Sequence, residues 1–158
     1  MIPTMARHVV FLLAATALVG CSAGAPQHDP GGDQTAIEAE LRQWPDDFNA
    51  KNVAGVCGLF ADDVVLAYPG GEDRGRGEFC TRMQTLFDDP AKRYHYAPPD
   101  IREVLVDGNL ATVKLFWTLT VTDPAGKVLD TGVEDGLDVF VRQPDGRWKI
   151  HVSHAFTK

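Results

Sequence analysis

The sequence predicts an α+β fold in which three short helices cover one face of a long, curved antiparallel sheet. Three observations carry this. Apolar residues recur at helical spacing through the first part of the domain, at Ile37, Leu41, Trp44 and Phe48. The second part alternates polar and apolar residues over long runs, most cleanly over residues 110–122. Turn residues separate these runs, Asp107-Gly108, Asp123-Pro124-Ala125-Gly126 and Pro144-Asp145-Gly146. Helices first and strands afterwards place the helices on one side of the sheet. A long twisted sheet under such a cover curls into a half-open cone and leaves a pocket between the layers.

The helical part reads in order. Thr35-Ala36-Ile37-Glu38 fits a capping box and starts the first helix. Pro45 lies inside it, removes the hydrogen bond to Leu41 and is expected to kink the axis. Asn52 suits the cap of a second short helix that turns Val53, Val56, Leu59 and Phe60 inward. Residues 62–68 read as a strand and residues 69–77 as a loop. That loop lacks the Gly-Lys-Ser/Thr ending of a phosphate-binding loop. A third helix covers residues 78–87, with Phe79, Met83, Leu86 and Phe87 on one face, and Asp88-Asp89-Pro90 ends it.

The remainder reads as antiparallel strands over residues 101–106, 110–122, 128–142 and 148–157. In the second of these, Ala111, Val113, Leu115, Trp117, Leu119 and Val121 share one face. Thr112, Lys114, Thr118, Thr120 and Thr122 share the other, with Phe116 as the exception.

The chain has 158 residues, with 15 Lys and Arg against 22 Asp and Glu and a formal charge of -7. Such acidity argues against nucleic acid or anionic lipid as the main partner. With 44% hydrophobic residues, the chain can bury a core.

The N-terminus reads as an export address. Arg7 and His8 precede a short apolar run over residues 9–20, too short for a spanning helix. It ends in Leu18-Val19-Gly20-Cys21, which resembles the bacterial lipobox, where the Cys is acylated and the signal removed. The expected organisation is a lipoprotein signal peptide over residues 1–20, a flexible tether over 21–33 and one domain over 34–158. Loss of Arg7 with the signal takes the mature charge from -7 to -8. Cys21 would carry fatty acyl chains such as palmitate, and two or more chains anchor durably. The expected location is the outer side of the cell membrane, exposed to the periplasm or the exterior.

With Cys21 acylated, Cys57 and Cys80 remain as a pair. Outside the cytoplasm a thiol pair tends to oxidise, and a disulfide is the favoured reading over two buried thiols.

The order of elements and two phrases, residues 44–63 (WPDDFNAKNVAGVCGLFADD) and 144–156 (PDGRWKIHVSHAF), resemble the nuclear transport factor 2-like superfamily. Its SnoaL-like and ketosteroid isomerase-like members are the most similar, over about residues 35–157. The resemblance implies a cystatin-like cone with a pocket, and it implies positions for three isomerase roles. The carboxylate base position is taken here by Tyr68, whose phenol, with an ordinary pKa near ~10, is a poor proton acceptor. The oxyanion-hole tyrosine position is taken by Trp44. The protonated acid on a late strand is matched by Asp138. With two of three roles altered, ketosteroid isomerisation is not expected.

Alternation puts Glu134, Asp138 and Phe140 on one face of their strand and Leu137, Val139 and Val141 on the other. It splits the last strand into Trp148, Ile150, Val152, His154 and Phe156 against Lys149, His151, Ser153, Ala155 and Thr157. By the isomerase match Asp138 and His151 enter the cone, where they would form an acid–base pair. His154, on the apolar face, reads as a core or interface histidine. His151 and His154 point oppositely and cannot jointly hold a metal. His95, between Tyr94 and Tyr96, lines the pocket mouth or covers a sheet edge. Trp44, Tyr68, Trp117 and Ser153 are the candidate ligand contacts, while Phe48 and Phe87 read as core.

The functional expectation is an envelope-anchored SnoaL-like lipoprotein whose pocket binds a small hydrophobic molecule. No cofactor or metal is implied. The rival is a cofactor-independent isomerase, cyclase, dehydratase or hydrolase that uses Asp138 and His151. A further possibility is a homodimer formed through the exposed sheet face at Leu137, Val139 and Val141.

Overall fold

The computed structural model describes residues 29–68 and 70–158. The expected signal peptide, Cys21 and most of the expected tether lie outside the described residues. Among the described residues no helix is long and apolar enough to cross a membrane.

Helix α1 runs over Pro30–Asn49, α2 over Val53–Gly58 and α3 over Arg76–Phe87. The first helix begins five residues before Thr35, so the capping-box reading fails and the last residues of the expected tether are helical. Pro30 supplies a preset φ at the start of the helix. Thr35 spends its hydroxyl on the Gly31 carbonyl at 2.9 Å, an interior helical contact. Asp33 then pairs with Arg142 of the sheet, which ties the added turn down. Asn52 does cap α2, its side chain accepting from the Gly55 amide at 3.1 Å. A Cβ at Gly55 would lie 2.4 Å from the Asp47 carboxyl carbon, so only glycine lets α2 fold back against the end of α1.

Strands β1 (Phe60–Ala67), β2 (Arg93–Tyr96), β3 (Asp100–Asp107), β4 (Leu110–Thr122), β5 (Val128–Arg142) and β6 (Trp148–Thr157) form one sheet. Their order is β1-β6-β5-β4-β2, with β3 also paired to β4. The sheet is mixed and not purely antiparallel, because β1 pairs with β6 in parallel. Strand β2 was not expected. Its four residues are too few to show a period, and its place is set by tertiary contacts. The Asn49 side chain bonds both backbone groups of Tyr96, donating at 2.9 Å and accepting at 3.0 Å, and so holds α1 over β2.

The inner face of β4 packs against the stripe of α1 predicted from spacing. Ile37, Leu41, Val113, Leu115 and Phe140 are each 0% exposed. Phe116 breaks the alternation because it faces outward among cations. Lys158, Lys114 and Arg102 lie 4.3, 5.2 and 5.3 Å from its ring centre.

Cys57 and Cys80 form a disulfide between α2 and α3, with their Cα atoms 5.9 Å apart. Replacing both by Ser should lower stability by about 3 kcal/mol, from the entropy returned to the unfolded chain. Denaturant unfolding of the protein and the double variant measures this.

Candidate functional site

The sheet and helices enclose a cavity of about 370 Å³. Trp44 and Phe48 of α1 and Met83 of α3 form its roof, while Trp117, Gly136, Asp138, Ser153 and Ala155 form its floor. Tyr68, just past β1, closes one side with Arg74 and Arg82. All of Trp44, Tyr68, Trp117, Ser153 and Asp138 therefore meet at one hollow. Phe48 and Phe87 are buried as core, at 2% and 6% exposed, and Phe48 also touches the cavity.

Asp138 is 3% exposed and lies on the inner face of β5. Its register partner on β6 is Ser153, whose hydroxyl favours the charged form of the carboxyl group. Burial pushes the Asp138 pKa up to about 7, and the Ser153 hydroxyl offsets part of that rise. A second acid, Glu134, faces the same cavity. Burial also raises its pKa, against a hydrogen bond from Tyr96. The Tyr96 hydroxyl lies 3.3 and 3.4 Å from the two carboxylate oxygens. Burial raises the pKa of the Tyr68 phenol above its ordinary value, and the negative charge of Glu134 raises it further. The Tyr96 phenol is raised for the same two reasons.

The expected Asp138–His151 pair does not form. A β-bulge shifts the register between β5 and β6, so that Val139 pairs with Val152 but Phe140 with Ile150. The extra residue is His151. Before the bulge Trp148 and Ile150 face inward, and after it Ser153 and Ala155 do. Strict alternation along β6 is therefore broken. His151 faces outward, its Nδ1 lying 3.1 Å from an oxygen of the exposed Asp63. His154 is exposed on the outer face rather than in the core, with its ring stacked 6.4 Å from that of Phe156. Of the two readings of His95, the edge holds. It is exposed on β2 opposite Thr120 and does not line the cavity.

Trp44 has no free donor to offer a ligand, because its indole N–H donates to the Val56 carbonyl at 3.1 Å. Among the described residues no group of three His, Cys, Asp or Glu side chains gathers to hold a metal. Sequence reasoning gave no site role to Glu134, Tyr96, Arg74 and Arg82. Glu134 could have been found, since it shares the face of Asp138 four residues away. Tyr96 could not, because its strand was not recognised.

A curled mixed sheet roofed by three helices over a polar-floored hollow is the fold of nuclear transport factor 2-like proteins. Within that superfamily the chain belongs to the SnoaL-like domain family, whose pattern matches residues 41–151. It is similar to a ketosteroid isomerase-like protein from Erwinia carotovora atroseptica, at 23% identity and a TM-score of 0.65, covering 79% of this chain and 95% of that one. It is likewise similar to an NTF2-like superfamily protein from Salmonella enterica serovar Typhimurium, at 17% identity and a TM-score of 0.65, covering 79% and 90%. A protein of Catenulispora acidiphila in complex with S-DNPA matches at 14% identity and a TM-score of 0.62, covering 80% and 94%. None of the curated proteins matches the chain.

The acid Asp138 makes stability depend on pH. Its folded pKa of about 7 lies above the unfolded value, so the folded state holds more protons between roughly pH 4 and 7. Stability is present below that window and falls as pH rises through it; Glu134 acts in the same direction. Unfolding free energy should therefore be higher at pH 5 than at pH 8. Asp138→Asn should flatten the profile by on the order of 2–4 kcal/mol, as read by urea unfolding across pH.

Proposed function

We propose that this chain is an envelope-anchored SnoaL-like lipoprotein that binds a small, largely apolar molecule in its cavity without transforming it. One observation carries the binding reading: a 370 Å³ hollow, walled by aromatic and aliphatic side chains, holds a few convergent polar groups. Two features favour binding over turnover. The base position of the isomerase-like kin is a phenol whose pKa is raised, so it stays protonated at neutral pH. The histidine that would relay a proton from Asp138 faces the opposite side of the sheet.

A neutral apolar probe, N-phenyl-1-naphthylamine, should brighten on binding to the protein. Ala155→Phe, which places a ring in the hollow, should abolish the gain. Fluorescence titration with near-ultraviolet circular dichroism as the folding control measures both. No brightening in the wild-type protein would remove the ligand-binding reading.

Membrane anchorage rests on the Leu18-Val19-Gly20-Cys21 phrase. Cys21→Ser should move the protein from the membrane to the soluble fraction in a bacterial host and remove labelling by a palmitate analogue. Fractionation with immunoblotting tests this. Retention of the variant in the membrane without label would overturn the lipid anchor.

A further inference from the structure

Glu134 is a cavity-facing acid with few donors. It lies on the inner face of β5, faces the cavity and is desolvated enough for its pKa to rise. A carboxylate has roughly four acceptor positions. Among the described residues its side-chain donor is one phenol, Tyr96, at 3.3 and 3.4 Å to the two oxygens, longer than the roughly 2.7 Å typical of such bonds. Among the described residues no Lys or Arg forms an ion pair with it. No cation contributes to its titration either. A half-buried carboxylate served by one long phenol bond keeps acceptor positions open toward the cavity that it lines.

The surroundings suit an organic cation. Trp117 is the register partner of Glu134 on β4. Tyr96 lies with its ring centre 6.0 Å from that of Trp117, edge to face. The Tyr68 phenol senses the charge of Glu134 more than that of any other ionised group. Aromatic faces beside a carboxylate attract ammonium groups. A bare divalent ion would need about six oxygen ligands, which one carboxylate and two phenols do not supply. The rest of the hollow, lined by Phe60, Phe79, Met83 and Ile150, accepts an apolar body.

Two cations also line the cavity. Arg74 is already paired with Glu78 at 3.0 Å and lies 5.4 Å from the Tyr68 ring centre. Arg82 is exposed on α3, at the edge shared with an open surface groove. Arg74 thus already has a carboxylate partner, and Arg82 faces solvent.

We propose that the cavity selects a small organic cation, a protonated amine on an otherwise apolar body, whose ammonium group hydrogen-bonds Glu134 beside the Trp117 and Tyr68 rings. This rests on the reading that the cavity is a ligand site, and deepens it by naming the ligand class.

Three probes with one apolar body separate the possibilities: 2-naphthylmethylamine, 2-naphthylmethanol and 2-naphthoate. Isothermal titration of each into the whole chain at neutral pH should rank the amine about tenfold tighter than the alcohol and the carboxylate weakest. In Glu134→Gln the amine-to-alcohol ratio should collapse to near one. Equal affinities for all three would overturn the cation inference and leave the apolar pocket standing. Preference for the carboxylate would overturn it in favour of anchorage at Arg82. Failure of every probe, together with no brightening of N-phenyl-1-naphthylamine, would remove the pocket reading and the inference with it.

Discussion

The hollow between the layers depends on side chains too small to fill it. On the inner face of β5 and β6 the cavity floor includes Gly136, Ser153 and Ala155. One strand away, the inner face of β4 carries Val113 and Leu115, both fully buried in the packed core. The same roof therefore rests on a high floor at one end and spans a low floor at the other. Local sterics do not force the glycine: a Cβ at Gly136 would meet Leu115 at 3.7 Å, an ordinary contact. Its effect is on volume. Interiors are otherwise close-packed, so a run of small residues facing a roof of Trp44, Phe48 and Met83 leaves space that neighbouring side chains do not collapse to fill.

That space sets the electrostatics of the groups around it. Asp138 loses most of its hydration yet gains only the Ser153 hydroxyl, and its pKa climbs to about 7. Glu134 gains only a long bond from Tyr96. Trp44, which might have donated into the hollow, is bound to Val56 where α1 and α2 meet. The packing that holds the roof together thus removes a donor from the cavity, and the floor keeps two acids with few donors to satisfy them.

Much of the frame was legible because period is a local property. The stripe Ile37, Leu41, Trp44 and Phe48 and the alternation of β4 each arise from one element meeting one apolar layer. The bounds of β4, β5 and β6 agree with those read from their turn residues. The features that were missed are all non-local. The added first turn of α1 is held by Arg142, more than a hundred residues away. Strand β2 is held by the Asn49 side chain. The parallel pairing of β1 with β6 joins distant parts of the chain. At the site, the face of Asp138 could be assigned through the superfamily resemblance, whereas its partner could not. A single inserted residue reverses every later assignment along a strand, and nothing in Ile150-His151-Val152 marks it.

The bulge at His151 has consequences for chemistry as well as register. Without it, Ile150 inward would place Val152 and His154 inward, and a histidine and two apolar groups would crowd the floor. With it, Ser153 and Ala155 take those places, and the imidazole of His151 is delivered to Asp63 on the solvent side. One backbone irregularity therefore empties the cavity, while His151, next to the inward Ile150, stays on the solvent side. Asp138 is left with a hydroxyl for company and a pKa of about 7, so near neutrality the same carboxyl group can donate or accept a hydrogen bond. A group with that dual capacity suits recognition of a polar atom on a bound molecule.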